Sequence, residues 1–142
     1  MKGKFFIDTN IFVYSFDKTA PKKAEKSISI IEHALKSGNG CISTQVIQEF
    51  TNVAIKKFQK PLSFDDCKLY LKTVLFPLCE IQPDPDFFEM GLNIKQATGY
   101  SFYDSLIIAA AQKGECRILY TEDMQNGQNV GGVVITNPFV ED

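Results

Sequence analysis

Short apolar runs alternating with amphipathic helical patterns constrain this chain more than any other feature of its sequence. The runs are Lys4–Ile7, Gly40–Ser43, Leu78–Gln82, Cys116–Tyr120 and Val133–Thr136. Each is too short for a stable helix, and the turn or capping residues around it mark a buried strand. Between them, Ala20–Lys36 sets Ala24, Ile28, Ile31 and Leu35 on one stripe, with Pro21 in the first turn and Gly38 just past the end. Helical patterns also span Thr44–Phe58, Ser63–Leu75, Asp84–Ala97 and Phe102–Lys113, and Ser63 with Asp66 forms a capping box with Asp in place of Glu. Strands that alternate with helices predict an α/β domain, its largely parallel sheet covered by helices on both faces. No repeat or linker-like stretch divides the 142 residues, 44% of them hydrophobic, so one domain over 1–142 with its own core is expected.

Several classes are excluded. No apolar run approaches the ~20 residues of a membrane-spanning helix. The opening MKGKFFIDTN meets an Asp after three consecutive apolar residues, unlike a secretory signal. Cys41, Cys67, Cys79 and Cys116 are spaced 26, 12 and 37 apart, which predicts four buried, reduced thiols and no zinc or redox motif. A soluble cytoplasmic protein is expected. Seventeen acids against fifteen bases argue at first sight against a nucleic-acid binder. The charge is uneven, however: residues 1–72 hold twelve bases and seven acids, and residues 73–142 three bases and ten acids.

Four acids stand where bland explanations serve poorly. Asp8 follows the first apolar run, and Asp123 follows the fourth in T-E-D. Each taken alone reads as a cap or turn residue, yet ligands of open α/β sheets collect beyond the carboxyl ends of strands. Glu49 lies three residues from Val46 and four from Val53, inside an apolar stripe that also includes Phe50. An ionised group there is costly unless a cation or donor meets it. Asp104 opens F-Y-D-S-L-I-I-A-A-A, ahead of Ile107, Ile108 and Ala111, where a first-turn Asp also favours the helix dipole.

If the four converge, each pair ~5 Å apart repels by about 3 kcal/mol at an effective dielectric near 20. A divalent cation resolves that conflict, and carboxylates without Cys or His favour Mg²⁺ or Mn²⁺ over zinc. Such ions serve phosphoryl chemistry by activating water and neutralising phosphate oxygens. Other catalytic groups are scarce. His33 lies on the polar side of a Lys-rich helix, Arg117 is the lone arginine, and Gly38-Asn39-Gly40 follows a helix rather than a strand. No G-K-[ST] loop or G-x-S-x-G elbow occurs.

Asp8 in D-T-N, Glu49 in S-T-Q-V-I-Q-E-F, Asp104 in F-Y-D-S-L-I-I-A-A-A and Asp123 in L-Y-T-E-D together resemble the PIN-domain nucleases, with the closing G-V-V-I-T-N-P-F similar to their last strand. The match covers nearly the whole chain. Its compact form looks like the VapC toxins of toxin–antitoxin pairs. The resemblance implies a three-layer α/β/α domain with a parallel five-stranded sheet of order 3-2-1-4-5. It also implies a Mg²⁺- or Mn²⁺-dependent endoribonuclease in which water attacks a phosphodiester in line with a leaving 3′-oxygen. Asp8 and Asp104 would be the principal metal ligands, Asp123 and Glu49 would complete the cluster, and Asn10 and Thr121 would orient ligands or water. Glu122 is an alternative to Asp123, which the family pattern prefers. A homodimer held in check by a small antitoxin is implied as well.

Lys22, Lys23 and Lys26, and Lys56, Lys57 and Lys60, form two basic clusters that suit RNA phosphates, although such clusters are commonly just solvated faces. Phe58, Phe64, Tyr100, Phe102 and Tyr103 stack bases if exposed and pack the core otherwise. Twelve phenylalanines, including Phe87-Phe88 and those near 12–16 and 64–76, supply either a Phe-rich core or a dimer or antitoxin surface. Three rival readings remain: a receiver-like phospho-acceptor domain, a haloacid-dehalogenase-like phosphatase, and a PIN fold that is a non-toxin nuclease or a binding module. The first lacks an acidic neighbour to Asp8 and a Lys in Val133–Thr136; the second lacks the D-x-D signature. Without the four acids the net charge of −2 becomes +2, so an acidic centre can coexist with a basic flank.

Overall fold

The computed structural model describes residues 3–140. Its strands are β1 (Phe5–Ile7), β2 (Gly40–Ser43), β3 (Cys79–Ile81), β4 (Ile118–Tyr120), β5 (Asn129–Val130) and β6 (Val133–Thr136). Its helices are α1 (Thr9–Tyr14), α2 (Pro21–Ser37), α3 (Thr44–Lys56), α4 (Phe64–Tyr70), α5 (Phe76–Leu78), α6 (Pro85–Thr98) and α7 (Phe102–Lys113). The sheet order is β3-β2-β1-β4-β6-β5. The five expected strands pair in parallel in the implied order. A sixth, β5, was not anticipated; it is two residues long and pairs antiparallel with β6. Gly131 and Gly132, at φ 58° and 95°, make its hairpin turn, a conformation that glycine adopts without a Cβ clash.

Helix α2 reaches the sheet with Ser27, Ile30, Ile31 and Ala34 rather than with the expected stripe; Ile28 and Leu35 are 43% and 39% exposed. The cause lies in β2. A Cβ added at Gly40 would stand 2.3 Å from the Ala34 Cβ, so helix and strand approach closely and only small side chains fit between them. The predicted helix over 63–75 continues to Leu78 through a π-helical turn at Leu71–Leu75, where the Phe76 N–H donates to the Leu71 carbonyl. Pro77 has no N–H to offer Thr73, which disfavours an uninterrupted α ladder here.

The core places Phe6, Ile7, Ile42, Leu119 and Ile135 in the sheet and Ile107 and Ile108 above it. A second focus is aromatic: Phe50 lies 5.1 to 6.3 Å, centroid to centroid, from Tyr70, Phe16, Phe58 and Phe12. The phenylalanines therefore divide, with Phe12 and Phe50 fully buried and Phe64, Phe76 and Phe88 substantially exposed. Cys41, Cys67 and Cys116 are buried free thiols as expected, whereas Cys79 is only half-buried.

Candidate functional site

Strands β1 and β4 are neighbours, and the Asp8 N–H donates to the Tyr120 carbonyl at 3.0 Å, so the residues that follow both strands meet at one end of the sheet. Asp8 caps the short helix α1, its Oδ1 accepting the Thr9 N–H at 2.7 Å. Its Oδ2 accepts the Thr121 hydroxyl at 2.7 Å. The fully buried Thr121 also accepts the Asp123 N–H at 3.1 Å, and so joins the first and fourth acids.

Glu49 arrives from α3. Its Oε1 accepts the Thr9 hydroxyl at 2.6 Å and its Oε2 the Gln45 amide at 3.1 Å. Gln45 also donates to the Tyr103 carbonyl at 3.1 Å, tying α3 to the first turn of α7. Asp104 sits in that turn, which Ser101 caps by accepting the Asp104 N–H at 3.1 Å. The donors that make Glu49 tolerable inside an apolar stripe are thus Thr9 and Gln45. Sequence reading singled out neither. Gln45 carried a signal, since residues four apart on a helix are neighbours; Thr9 carried one only as part of D-T-N.

The acids act on one another. Burial pushes the Asp8 carboxyl up to about 7 despite the Thr121 and Thr9 donors, and the charges of Glu49 and Asp123 push the same way. Burial likewise raises Asp104, aided by Asp123 and Glu49. Among the described residues the ion pairs are Lys4–Glu80, Lys23–Glu122 and Lys113–Asp84, so no cation of the chain meets any of the four. Nor do three of these side chains close into a ready-made cage among the described residues. Spaced acids of this kind suit Mg²⁺ or Mn²⁺, because Mg²⁺ binds through one or two carboxylates and retains several waters. The side-chain amide of Asn10, two residues beyond Asp8, is buried with neither nitrogen nor oxygen hydrogen-bonded. An unsatisfied buried amide is the second observation that fits a polar guest.

Glu122 is engaged elsewhere, accepting the Tyr14 hydroxyl at 2.5 Å and pairing with Lys23. This leaves Asp123 as the acid that acts on Asp8 and Asp104. Lys23 accordingly is not free for phosphate: besides Glu122, its ammonium lies over the rings of Tyr14 and Phe139, 4.6 and 5.4 Å from their centroids. Lys22 and Lys26 remain exposed on the same helix, and Lys56, Lys57 and Lys60 are exposed at the end of α3. Lys57 and Lys60 line a groove of about 580 Å³ with Lys18, Phe16, Phe58 and Val13. His33 is exposed, as expected, and stacks on Phe5 at 5.6 Å. Of the aromatic residues considered for stacking, Phe64 and Tyr103 are strongly exposed, whereas Phe58, Tyr100 and Phe102 pack against the core.

The family model described as PIN domain matches residues 5–125. No curated protein matches the chain in sequence. Among solved structures, the chain is similar to one in a toxin–antitoxin complex from Klebsiella pneumoniae, at 20% identity and TM-score 0.67, covering 96% of this chain and 98% of that one. A chain of VapBC2 from Rickettsia felis, bound to a promoter DNA fragment, gives 18% and 0.63 over 94% and 97%. A chain of FitAcB from Neisseria gonorrhoeae gives 16% and 0.61 over 95% and 98%. At these identities the likeness establishes the fold.

Proposed function

Because the chain belongs to the PIN domain family, we propose that it is a Mg²⁺- or Mn²⁺-dependent endoribonuclease, and the toxin of a toxin–antitoxin pair. The observation that carries this reading is Asp8, a buried carboxyl on which the charges of Glu49 and Asp123 act, with no cation among the described residues paired to it. Asp8 and Asp104 would hold the metal, with Glu49 and Asp123 directly or through water. The bound cation would supply a Lewis acid that activates water and neutralises phosphate oxygens. Thr121 fixes Asp8 and Asp123 relative to each other, Thr9 and Gln45 aim Glu49, and Asn10 offers a polar edge for water or phosphate. Lys22, Lys26, Lys56, Lys57 and Lys60 provide positive charge for the RNA backbone.

Family membership supports hydrolysis of nucleic acid, and we take 1–142 as one nuclease domain. The structural neighbours described as toxin–antitoxin complexes support the partner, a small cognate antitoxin, and a homodimer in the cytoplasm belongs to the same reading. Exposed Phe64, Leu69 and Phe76, and Phe88 and Leu92 on α6, offer apolar surface for such contacts. Among the described residues no helix is long and apolar enough to cross a membrane.

An RNA-cleavage assay with added Mg²⁺ or Mn²⁺ tests the activity. Cleavage should require the cation, stop with chelator, and fall at least about a hundredfold in Asp104→Asn. Undiminished cleavage in chelator or in Asp104→Asn would sink the site assignment.

A further inference from the structure

Tyr103 is 67% exposed although its place on α7 is an inward one. Residues four apart share a helix face, and one turn further on is Ile107, which is buried in the core at 2% exposure. Tyr103 lies in the first turn of α7, where side chains tilt outward along the axis towards the helix start. It precedes Asp104 in that turn and is tied through Gln45 to Glu49, so it stands beside two of the four acids. Two contacts fix it there. Gln45 holds its carbonyl with the same amide that holds Glu49, and Phe102, packed against the core, meets its ring edge-on at 6.0 Å and 61°.

A large exposed aromatic ring, anchored to the acids by backbone and buttressed from behind, has the form of a stacking platform. We propose that Tyr103 binds substrate by stacking on a nucleobase that flanks the phosphodiester to be cut. The inference rests on the nuclease reading and adds a base-binding subsite to it. Any base offers a π face, so the subsite does not choose among the bases.

The test is steady-state cleavage of a short single-stranded RNA in saturating Mn²⁺ by wild type, Tyr103→Ala and Tyr103→Phe. Tyr103→Ala should raise KM by roughly tenfold or more and leave kcat within about twofold. Tyr103→Phe should match wild type, because stacking needs the ring and not the hydroxyl. An abasic nucleotide beside the cut should raise the wild-type KM similarly and add no further rise in Tyr103→Ala. An unchanged KM in Tyr103→Ala, or a fall in kcat alone, overturns the subsite while leaving the nuclease intact. Failure of wild type to cleave RNA with any divalent cation overturns both readings, so the two failures are told apart.

Discussion

Asp8→Asn lowers cation-dependent RNA cleavage by about a thousandfold, and it also makes the cation-free protein more stable at pH 8. Both effects follow from one buried carboxyl. In the native chain it keeps its proton up to about 7, whereas in the unfolded chain it ionises near the ordinary 3.8. Between those values the native state binds more protons than the unfolded state. Stability therefore falls as pH rises from about 4 to about 7 and is level above that. A difference of about three pH units corresponds to about 4 kcal/mol of stability withheld at pH 8. Asparagine removes this penalty but accepts only one of the two hydrogen bonds that Asp8 receives, a loss of about 1 kcal/mol. Denaturant unfolding in chelator should place Asp8→Asn about 3 kcal/mol above wild type at pH 8. At pH 4 the ordering should reverse slightly. Equal stabilities at pH 8 would mean that the Asp8 charge is already balanced within the chain.

Phe50→Ala produces the largest expected loss of stability. Its side chain is fully buried and its ring meets those of Phe12, Phe16, Phe58 and Tyr70, which belong to or adjoin α1, α3 and α4. Truncation leaves a cavity that these stiff neighbours fill poorly, at a cost of about 4 to 5 kcal/mol. That is a large part of the 5–15 kcal/mol typical of a whole domain. Because Phe50 follows Glu49 on α3, the same change loosens the helix that carries an acid to the site. Phe64→Ala, at a position 72% exposed, is the control and should lie within about 0.5 kcal/mol of wild type. Thermal or denaturant unfolding of the pair checks both values, and comparable stabilities for the two variants would refute the packing argument.

The alternation of apolar runs with helices announced the α/β class, and Asp8 and Asp123 were conspicuous because each follows a strand. Local spacing cannot choose between two helix faces that share Ile31; the Gly40–Ala34 approach makes that choice for α2. Nor can it separate Glu122 from Asp123. The partners that engage Glu122, Tyr14 and Lys23, lie 108 and 99 positions away in the chain. The hairpin of β5 was missed because two residues carry no periodicity, although Gly131-Gly132 marked its turn. Thr9 and Gln45 emerge only once α1 and α3 are docked, since a hydroxyl or amide becomes a positioning group by what it touches.

The proposed divalent-cation site of Asp8, Glu49, Asp104 and Asp123 is read out by calorimetric titration of the chelator-stripped protein with Mn²⁺ at pH 8, in the absence of RNA. Wild type should bind with saturable heat that Mg²⁺ competes away, and both Asp8→Asn and Asp104→Asn should lose at least about tenfold in affinity. Binding of equal strength in all three proteins, or no binding to wild type, would contradict the proposed site.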